Sequence, residues 1–171
     1  YDLLVGEGYQ PIGFDHFALP ADPLAVAAHE GRLHRNFQGF TDDGAPVLLG
    51  LGASAISMFP HVIVQNEKNP GRYRMLLSQD RLPATRGVGR STGDRRRGDI
   101  IEQLLCHGHA PVGDGFADDI ARLAPFAARG LATLAGGECR IEPAGLPYSR
   151  AIAAQFDPYR AHSPRRFSSA V

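Results

Sequence analysis

The sequence is poor in cysteine, lysine and tryptophan, and it has no long apolar run. Two cysteines stand in 171 residues, Cys106 and Cys139. They are too few and too far apart for a disulfide framework or a Cys-x-x-Cys redox or zinc pair, so two reduced thiols are expected. An iron–sulfur cluster takes roughly three or four thiolates, which this chain cannot supply by itself. No stretch approaches the ~20 apolar residues of a membrane-crossing helix, and no basic stretch precedes an apolar one at Tyr1–Glu7. Neither sign of charge dominates, with 18 Lys and Arg against 18 Asp and Glu. At 43% hydrophobic and 21% charged residues, disorder, collagen and coiled coil are excluded and a buried core is expected. The expectation is a cytoplasmic chain without a membrane partner, one domain in size or one domain with a piece of another. Position 1 is not Met, which reads as a cut.

Arginine and alanine are what the chain has in plenty. Lys68 is the sole lysine among the 18 basic residues, a bias that suggests GC-rich coding before it suggests function. Six arginines nevertheless fall between Arg81 and Arg97, with Arg95, Arg96 and Arg97 contiguous. Guanidinium forks match phosphates and carboxylates, while the plainer reading is a solvated face.

Residues 3–8 read as the end of a helix, and 9–16 as a short strand that delivers Asp15 and His16 at its tip, where α/β folds place sites. Asp22 followed by Pro23 predicts a cap and first turn for a helix reaching Glu30 and stopped by Gly31. Residues 41–44 are turn chemistry, and 47–52 read as a buried strand running into the small-residue loop 53–55. From 66 to 93 the composition turns polar and Arg-rich, with Pro70, Pro83 and several glycines, and a module boundary is expected there. Beyond it, Asp99 would cap a helix carrying Ile100, Ile101, Leu104 and Leu105. Asp114 would cap a second, with Phe116, Ile120, Leu123 and Ala127 on one face and Pro125 as an interruption. Segments 131–134 and 139–142 flank Gly136-Gly137 as a hairpin, Tyr148, Ile152 and Phe156 mark a last helix, and the tail after Arg160 is expected to fray. Helices followed by a two-stranded wing resemble a winged-helix domain.

Three motifs then carry a resemblance: Gly8-Tyr9-Gln10-Pro11-Ile12-Gly13-Phe14-Asp15-His16-Phe17-Ala18, Leu33-His34-Arg35-Asn36-Phe37-Gln38-Gly39-Phe40, and Leu49-Gly50-Leu51-Gly52-Ala53-Ser54-Ala55-Ile56-Ser57. Together with Gln65-Asn66, residues 82–87, Leu123-Ala124-Pro125-Phe126 and Phe156-Asp157-Pro158-Tyr159, they resemble the oxygen-independent coproporphyrinogen III oxidases in order along the whole chain. A sister group of haem-chaperone-like proteins carries a tyrosine-tryptophan motif, and tryptophan is absent here. The oxidases proper are therefore the better match. Between Gly93 and Gly98 the pattern departs from the family's acid pair and arginine pair, which leaves the role of Arg97 open.

The resemblance implies the C-terminal portion of a radical S-adenosylmethionine (SAM) enzyme. Its fold would be an α/β remnant of an incomplete (β/α) barrel, followed by a mainly helical, winged-helix-like C-terminal domain. The implied division is 1–66 for the last strand–helix units of the barrel, 67–93 for an Arg-rich linker and 94–171 for the helical domain. The implied activity oxidatively decarboxylates two propionates of coproporphyrinogen III to vinyl groups, giving protoporphyrinogen IX in haem synthesis. SAM and a [4Fe-4S] cluster are the cofactors, with the cluster's ligands in a loop this chain lacks, so the segment is expected to be inactive alone. By resemblance, Ile56 contacts the cluster-bound SAM, while Phe37 and Gln38 line a second SAM site. Asp15 and His16 are candidates for pyrrole N–H binding or proton shuttling. His34, Arg35 and Asn36 are candidates for substrate binding, with Arg35 suited to a tetracarboxylate. A monomer is expected, with the missing N-terminal portion and an electron donor for the cluster as partners.

Two other chemistries are weighed against this. Cys106-His107-Gly108-His109 tempts a metal reading, but residues so close in sequence hardly close a tetrahedral site without a distant partner. Gly50-Leu51-Gly52 does not extend to a dinucleotide fingerprint, because position 55 is alanine. The alternative functions are a non-catalytic porphyrin- or haem-binding module, or a winged-helix module with Arg95–Arg97 on phosphates. The latter needs a basic recognition helix, and residues 116–129 carry Asp118 and Asp119, so no nucleic-acid partner is expected.

Overall fold

The computed structural model describes residues 1–160. In chain order it has helix α1 (Asp2–Gly6), strands β1 (Gln10–Ile12) and β2 (His16–Ala18), helix α2 (Pro23–His29), and strands β3 (His34–Arg35) and β4 (Phe40–Thr41). Strands β5 (Ile56–Met58) and β6 (Val62–Asn66), helix α3 (Pro70–Ser78) and strand β7 (Ala84–Gly89) follow. Helix α4 (Thr92–His107), strand β8 (His109–Pro111), helix α5 (Ala117–Ala127), strands β9 (Ala132–Ala135) and β10 (Glu138–Ile141), and helix α6 (Ser149–Ala153) complete it. Single 3₁₀ segments, Pro143–Tyr148 and Ala154–Phe156, flank α6. The tail beyond Arg160, expected to fray, lies outside the described residues.

The chain divides into two compact units, one formed by Tyr1–Gly44 with the chain from Arg97 onward, the other by Ala45–Arg96. Every strand pair among the described residues is antiparallel. The strand–helix alternation expected in the first third is thus a β1–β2 hairpin, a helix and a second short hairpin. A turn at 13–15 lets β2 fold straight back on β1, with Ile12 opposite His16.

The first unit holds two apolar clusters. In one, Ile12, Ala18, Ala25, Leu33 and Phe40 pack with Cys106 of α4. α2 presents Ala25 to it because its start is fixed as expected: Asp22 accepts a bond from Leu24 N at 2.9 Å and Pro23 opens the first turn. The second cluster gathers Ile100 and Leu104 of α4, Leu123 of α5, Cys139 and Ile141 of β10, and Ile152 and Phe156 at the chain's end. β8, β10 and β9 form an antiparallel sheet in that spatial order, so the expected hairpin gains a third strand.

Two helix starts differ from expectation. α4 opens at Thr92 rather than at Asp99, because Ser91 and Asp94 cap it reciprocally: Ser91 N donates to Asp94 Oδ2 at 2.9 Å and Asp94 N donates to Ser91 Oγ at 3.1 Å. Asp114 does not cap α5, since it lies too far ahead of Ala117, and Phe116 occupies the cap position without a side-chain bond. Pro125 does not interrupt α5 either; it sits in the last turn, where the missing N–H costs one bond shortly before the helix ends.

A buried carboxylate, Asp119 at 2% exposure, joins the helices of this unit. It pairs with Arg97 of α4 and Arg122 of its own helix. Arg97 also reaches Phe156 O at 3.3 Å and Arg122 reaches Gln155 O at 2.7 Å. The guanidinium of Arg97 lies 5.1 Å from the Phe116 ring centroid.

In the second unit, β5–β6–β7 form an antiparallel sheet, and Asn69 caps α3 through Arg72 N at 3.0 Å. Residues 67–93 therefore carry a helix and a strand. Residues 47–52 are not a buried strand: only Leu48 bridges to Met58, Leu49 is exposed, and Leu51 is 90% exposed. At Gly50 the backbone lies against that of Ile56 so closely that a Cβ would fall 2.5 Å from Ile56 O. Buried Asn66 fixes the loop by donating to Gly50 O at 3.1 Å and Gly52 O at 3.0 Å. No helix among the described residues is long and apolar enough to cross a membrane.

Asp119→Ala is expected to lower the stability of the chain by about 3 kcal/mol, because two guanidinium groups lose a desolvated partner. Asp118→Ala, at an exposed neighbouring position, is expected to change it by less than about 0.5 kcal/mol. Urea unfolding checks the pair, and equal effects would contradict the assignment.

Candidate functional site

The β1–β2 turn and the β3–β4 hairpin of the first unit build one polar cluster on aromatic supports. At Gly13, φ +58°, a Cβ would meet the Phe40 ring at 2.1 Å, so any larger residue there would be strained and would displace the ring. The Phe40 ring packs edge-on to Phe14, with centroids 5.7 Å apart. The Arg35 guanidinium lies over both rings, 4.8 Å from the Phe40 centroid and 5.3 Å from that of Phe14. His16 stands perpendicular to Phe40 at 5.1 Å and bonds Asp15 Oδ1 through Nδ1 at 2.7 Å.

Of the residues expected from sequence, His16 and Arg35 therefore share this aromatic support, and Asp15 joins them through His16. Asp15 sits in the hairpin turn and His16 opens β2, so they stand at a hairpin and not at the tip of a parallel strand. His34 and Asn36 flank Arg35 but are engaged elsewhere. His34 Nδ1 lies 3.2 Å from Glu102 Oε1, which also accepts from Arg35 N at 3.1 Å. Asn36 Oδ1 accepts from Gln38 N at 2.8 Å and so shapes the 36–39 turn. That turn presents Phe37 at 51% exposure beside an exposed Gln38. Ile56 belongs to the other unit, half-buried on β5 opposite Gln65.

Phe14, Phe40 and Glu102 were not singled out by sequence. The two phenylalanines lie inside the quoted motifs, but nothing in their spacing shows that both rings meet one guanidinium. Glu102 is remote in sequence from the residues it bonds and carries no local signal.

Burial governs the electrostatics around this cluster. The Cys106 thiol is pushed up to about 12, first by desolvation and then by the charge of Glu102, with Arg35 opposing. Cys139 is pushed up to about 11 by desolvation and Glu138. His107 is held below the usual imidazole range by burial and then by repulsion from His109 and His34. The run Cys106-His107-Gly108-His109 does not converge on a metal site, and no group of three or more ligating side chains is found among the described residues. Elsewhere in this unit a pocket of about 430 Å³ is lined by Arg97, Arg122, Asp118 and Asp157, none of them expected there.

No protein-family model matches the chain. Oxygen-independent coproporphyrinogen III oxidases do. The protein of that name from Bradyrhizobium diazoefficiens is 38% identical over 96% of this chain, and that from Paracoccus denitrificans is 42% identical over 92%. The Escherichia coli protein is 39% identical over 95%. In fold, the chain superposes with a TM-score of 0.85 and 38% identity on the solved structure of the Escherichia coli coproporphyrinogen III oxidase, HemN, described as a radical SAM enzyme. The superposition covers 92% of this chain. The resemblance read from the motifs is thus borne out. The chain spans about two fifths of the length of the relatives it matches, 39% of the Bradyrhizobium protein and 38% of the Escherichia coli one.

Raised thiol pKa values mean that folding favours the protonated cysteines. Their contribution to stability is complete below the ordinary thiol pKa near 9 and is lost as pH rises from there through about 11 and 12. The lowered His107 acts in the opposite sense: its contribution is present above 6.5 and is lost as pH falls below that value. Denaturant midpoints between pH 5 and 8 are expected to fall on the acid side, and His107→Gln is expected to flatten that slope. Neither thiol is expected to react with a disulfide reagent at pH 8 until the chain unfolds.

Proposed function

We propose that the chain is the C-terminal part of an oxygen-independent coproporphyrinogen III oxidase, the radical SAM enzyme that converts coproporphyrinogen III to protoporphyrinogen IX. The observation that carries this reading is similarity in both sequence and fold over more than nine tenths of the chain. In this reading residues 1–66 derive from the last strand–helix units of the barrel and 94–171 form the C-terminal domain, while 67–93, expected as a linker, contribute α3 and the strand β7 that pairs with β6. The two compact units cut across that division, because the first 44 residues pack with the chain from Arg97 on. The order α4, β8, α5, β9, β10 with the sheet order β8–β10–β9 supports a winged-helix-like reading of the C-terminal domain. The parent works as a cytoplasmic monomer, with an electron donor for its cluster and with neither membrane nor nucleic acid as partner.

The two cofactors fit these residues differently. For SAM the fit is good: Phe37 offers an exposed ring to an adenine face, the Gln38 amide can hold a carboxylate or ribose hydroxyl, and Ile56 gives an apolar contact to the adenosine of the cluster-bound molecule. For a [4Fe-4S] cluster it is poor. Cys106 and Cys139 are buried in separate apolar clusters and held protonated, so the ligands lie in the part of the parent this chain does not contain.

SAM bound with a cluster supplies the hydrogen-abstracting chemistry. Each of the two reacting propionates loses one hydrogen atom, and departure of carbon dioxide, with one further electron passed to an external one-electron acceptor, leaves a vinyl group. The residues here bind, orient and exclude water. Asp15 holds the His16 ring through Nδ1, which leaves Nε2 to accept or donate a proton at a pyrrole nitrogen. Arg35 faces the substrate's carboxylates, with His34 and Asn36 shaping the loop around it.

Grafting this chain in place of the matching region of the Escherichia coli relative tests the reading. The chimaera is expected to form protoporphyrinogen IX anaerobically, and Gln38→Ala or Ile56→Asp is expected to reduce the rate at least about tenfold. The 171 residues alone are expected to bind no cluster and cleave no SAM. A folded, cluster-loaded chimaera without activity would refute the proposal.

A further inference from the structure

We infer that the Arg35 guanidinium is a docking point for a carboxylate that the reaction leaves intact. This rests on the proposed function only for the identity of the ligand.

Several arginines of this unit are held in ion pairs, and Arg35 is held in another way. Arg32 is spent on Glu30, Arg97 and Arg122 on Asp119, and Arg140 on Glu138. Arg35 is half-buried, and its guanidinium makes no hydrogen bond or ion pair among the described residues. Its Nη1 is wholly buried without an acceptor. Glu102, the acid at hand, gives its Oε1 to the Arg35 backbone N–H and to His34. The side chain is nevertheless held, by the two rings at 4.8 and 5.3 Å.

Fixing a long side chain loses rotamer freedom, and desolvating a charge without an acceptor is unfavourable. Stacking on Phe14 and Phe40 offsets part of this and leaves the rest of the guanidinium edge without a partner. With Nη1 buried, the Nε and Nη2 N–H groups form the edge left open, and two parallel donors already oriented are what a carboxylate needs for paired hydrogen bonds. Phe14 and Phe40 are then positioning residues, and Gly13 is glycine so that the Phe40 ring can lie where it does.

The chemistry also selects which carboxylate. A donor fork on a propionate about to leave as carbon dioxide would stabilise the charged ground state against its neutral product and slow the reaction. The fork therefore suits a carboxylate that is kept. The proposed substrate keeps two of its four propionates, and the amino-acid end of SAM keeps its own carboxylate. Both present the same group.

The labelled chain separates these sources. The Arg35 Nε–Hε resonance, assigned by its loss in Arg35→Lys, is followed during titration with sodium propionate and with sodium chloride at equal ionic strength. A saturable shift with propionate alone is expected; its absence overturns the inference whatever family the chain comes from. Coproporphyrin III, its tetramethyl ester and SAM are then titrated against wild type, Arg35→Gln and Arg35→Lys. Arg35→Gln is expected to weaken coproporphyrin III about ten- to a hundredfold, Arg35→Lys less, and neither to alter binding of the ester. If Arg35→Gln weakens only SAM, docking stands and the substrate assignment falls. Binding of all three ligands unchanged by both variants overturns the inference. Thermal melts identify a variant that has lost its fold, and Phe40→Leu provides an independent arm: it keeps the charge and is expected to broaden the Arg35 resonance and reduce the propionate shift.

Discussion

The larger unit closes on one carboxylate. Asp119 draws Arg97 from α4 and Arg122 from α5, and both arginines go on to carbonyls of the last helical segment. Three stretches of chain remote in sequence are held through one carboxylate oxygen, Asp119 Oδ1. A buried ionic cluster of this kind adds little net stability over apolar packing, but breaking it is costly, so its effect falls on register more than on strength. With Arg97 turned inward, Ile100 and Leu104 follow on the same face of α4 and reach the core with Leu123 and Phe156. The same rotation places Glu102 where it bonds His34 and Arg35 N. The geometry of the polar cluster thus depends on a contact made at the other end of the helix.

What could be read from sequence was what local chemistry decides. Asp22-Pro23 and Gly31 bounded α2, Gly136-Gly137 announced a hairpin, and the apolar spacing of α5 survived its proline. The start of α4 was hidden because its first turns are polar. Asp99 precedes the apolar residues and so attracts the cap, whereas the reciprocal Ser91 and Asp94 bonds lie two turns earlier. Residues 47–52 are as apolar as a buried strand, yet Leu49 and Leu51 are exposed on either side of Gly50, whose backbone lies against that of Ile56. Asp118 and Asp119 are alike in sequence and opposite in burial, a difference decided by Arg97 and Arg122.

The polar cluster divides in the same way. The motifs contained Asp15, His16 and Arg35, and chemistry could say why each type was useful. No spacing rule says that the Phe14 and Phe40 rings flank one guanidinium, or that Glu102 supports its backbone, because these contacts close long loops. Cysteine count was the reverse case: two thiols in the sequence already argued against a cluster, and burial of both with protons retained gives the physical reason they would not serve as ligands.

The discontinuity of the larger unit has a consequence for the order in which the chain acquires structure. Ile12, Leu33 and Phe40 complete their apolar cluster with Cys106, so the first 44 residues leave the ribosome without the helix that covers them. The intervening unit, whose sheet pairs near neighbours in sequence, can form while they wait. Closing the larger unit is a late, long-loop event, because the chain from Arg97 on must be made before it can join the first 44 residues.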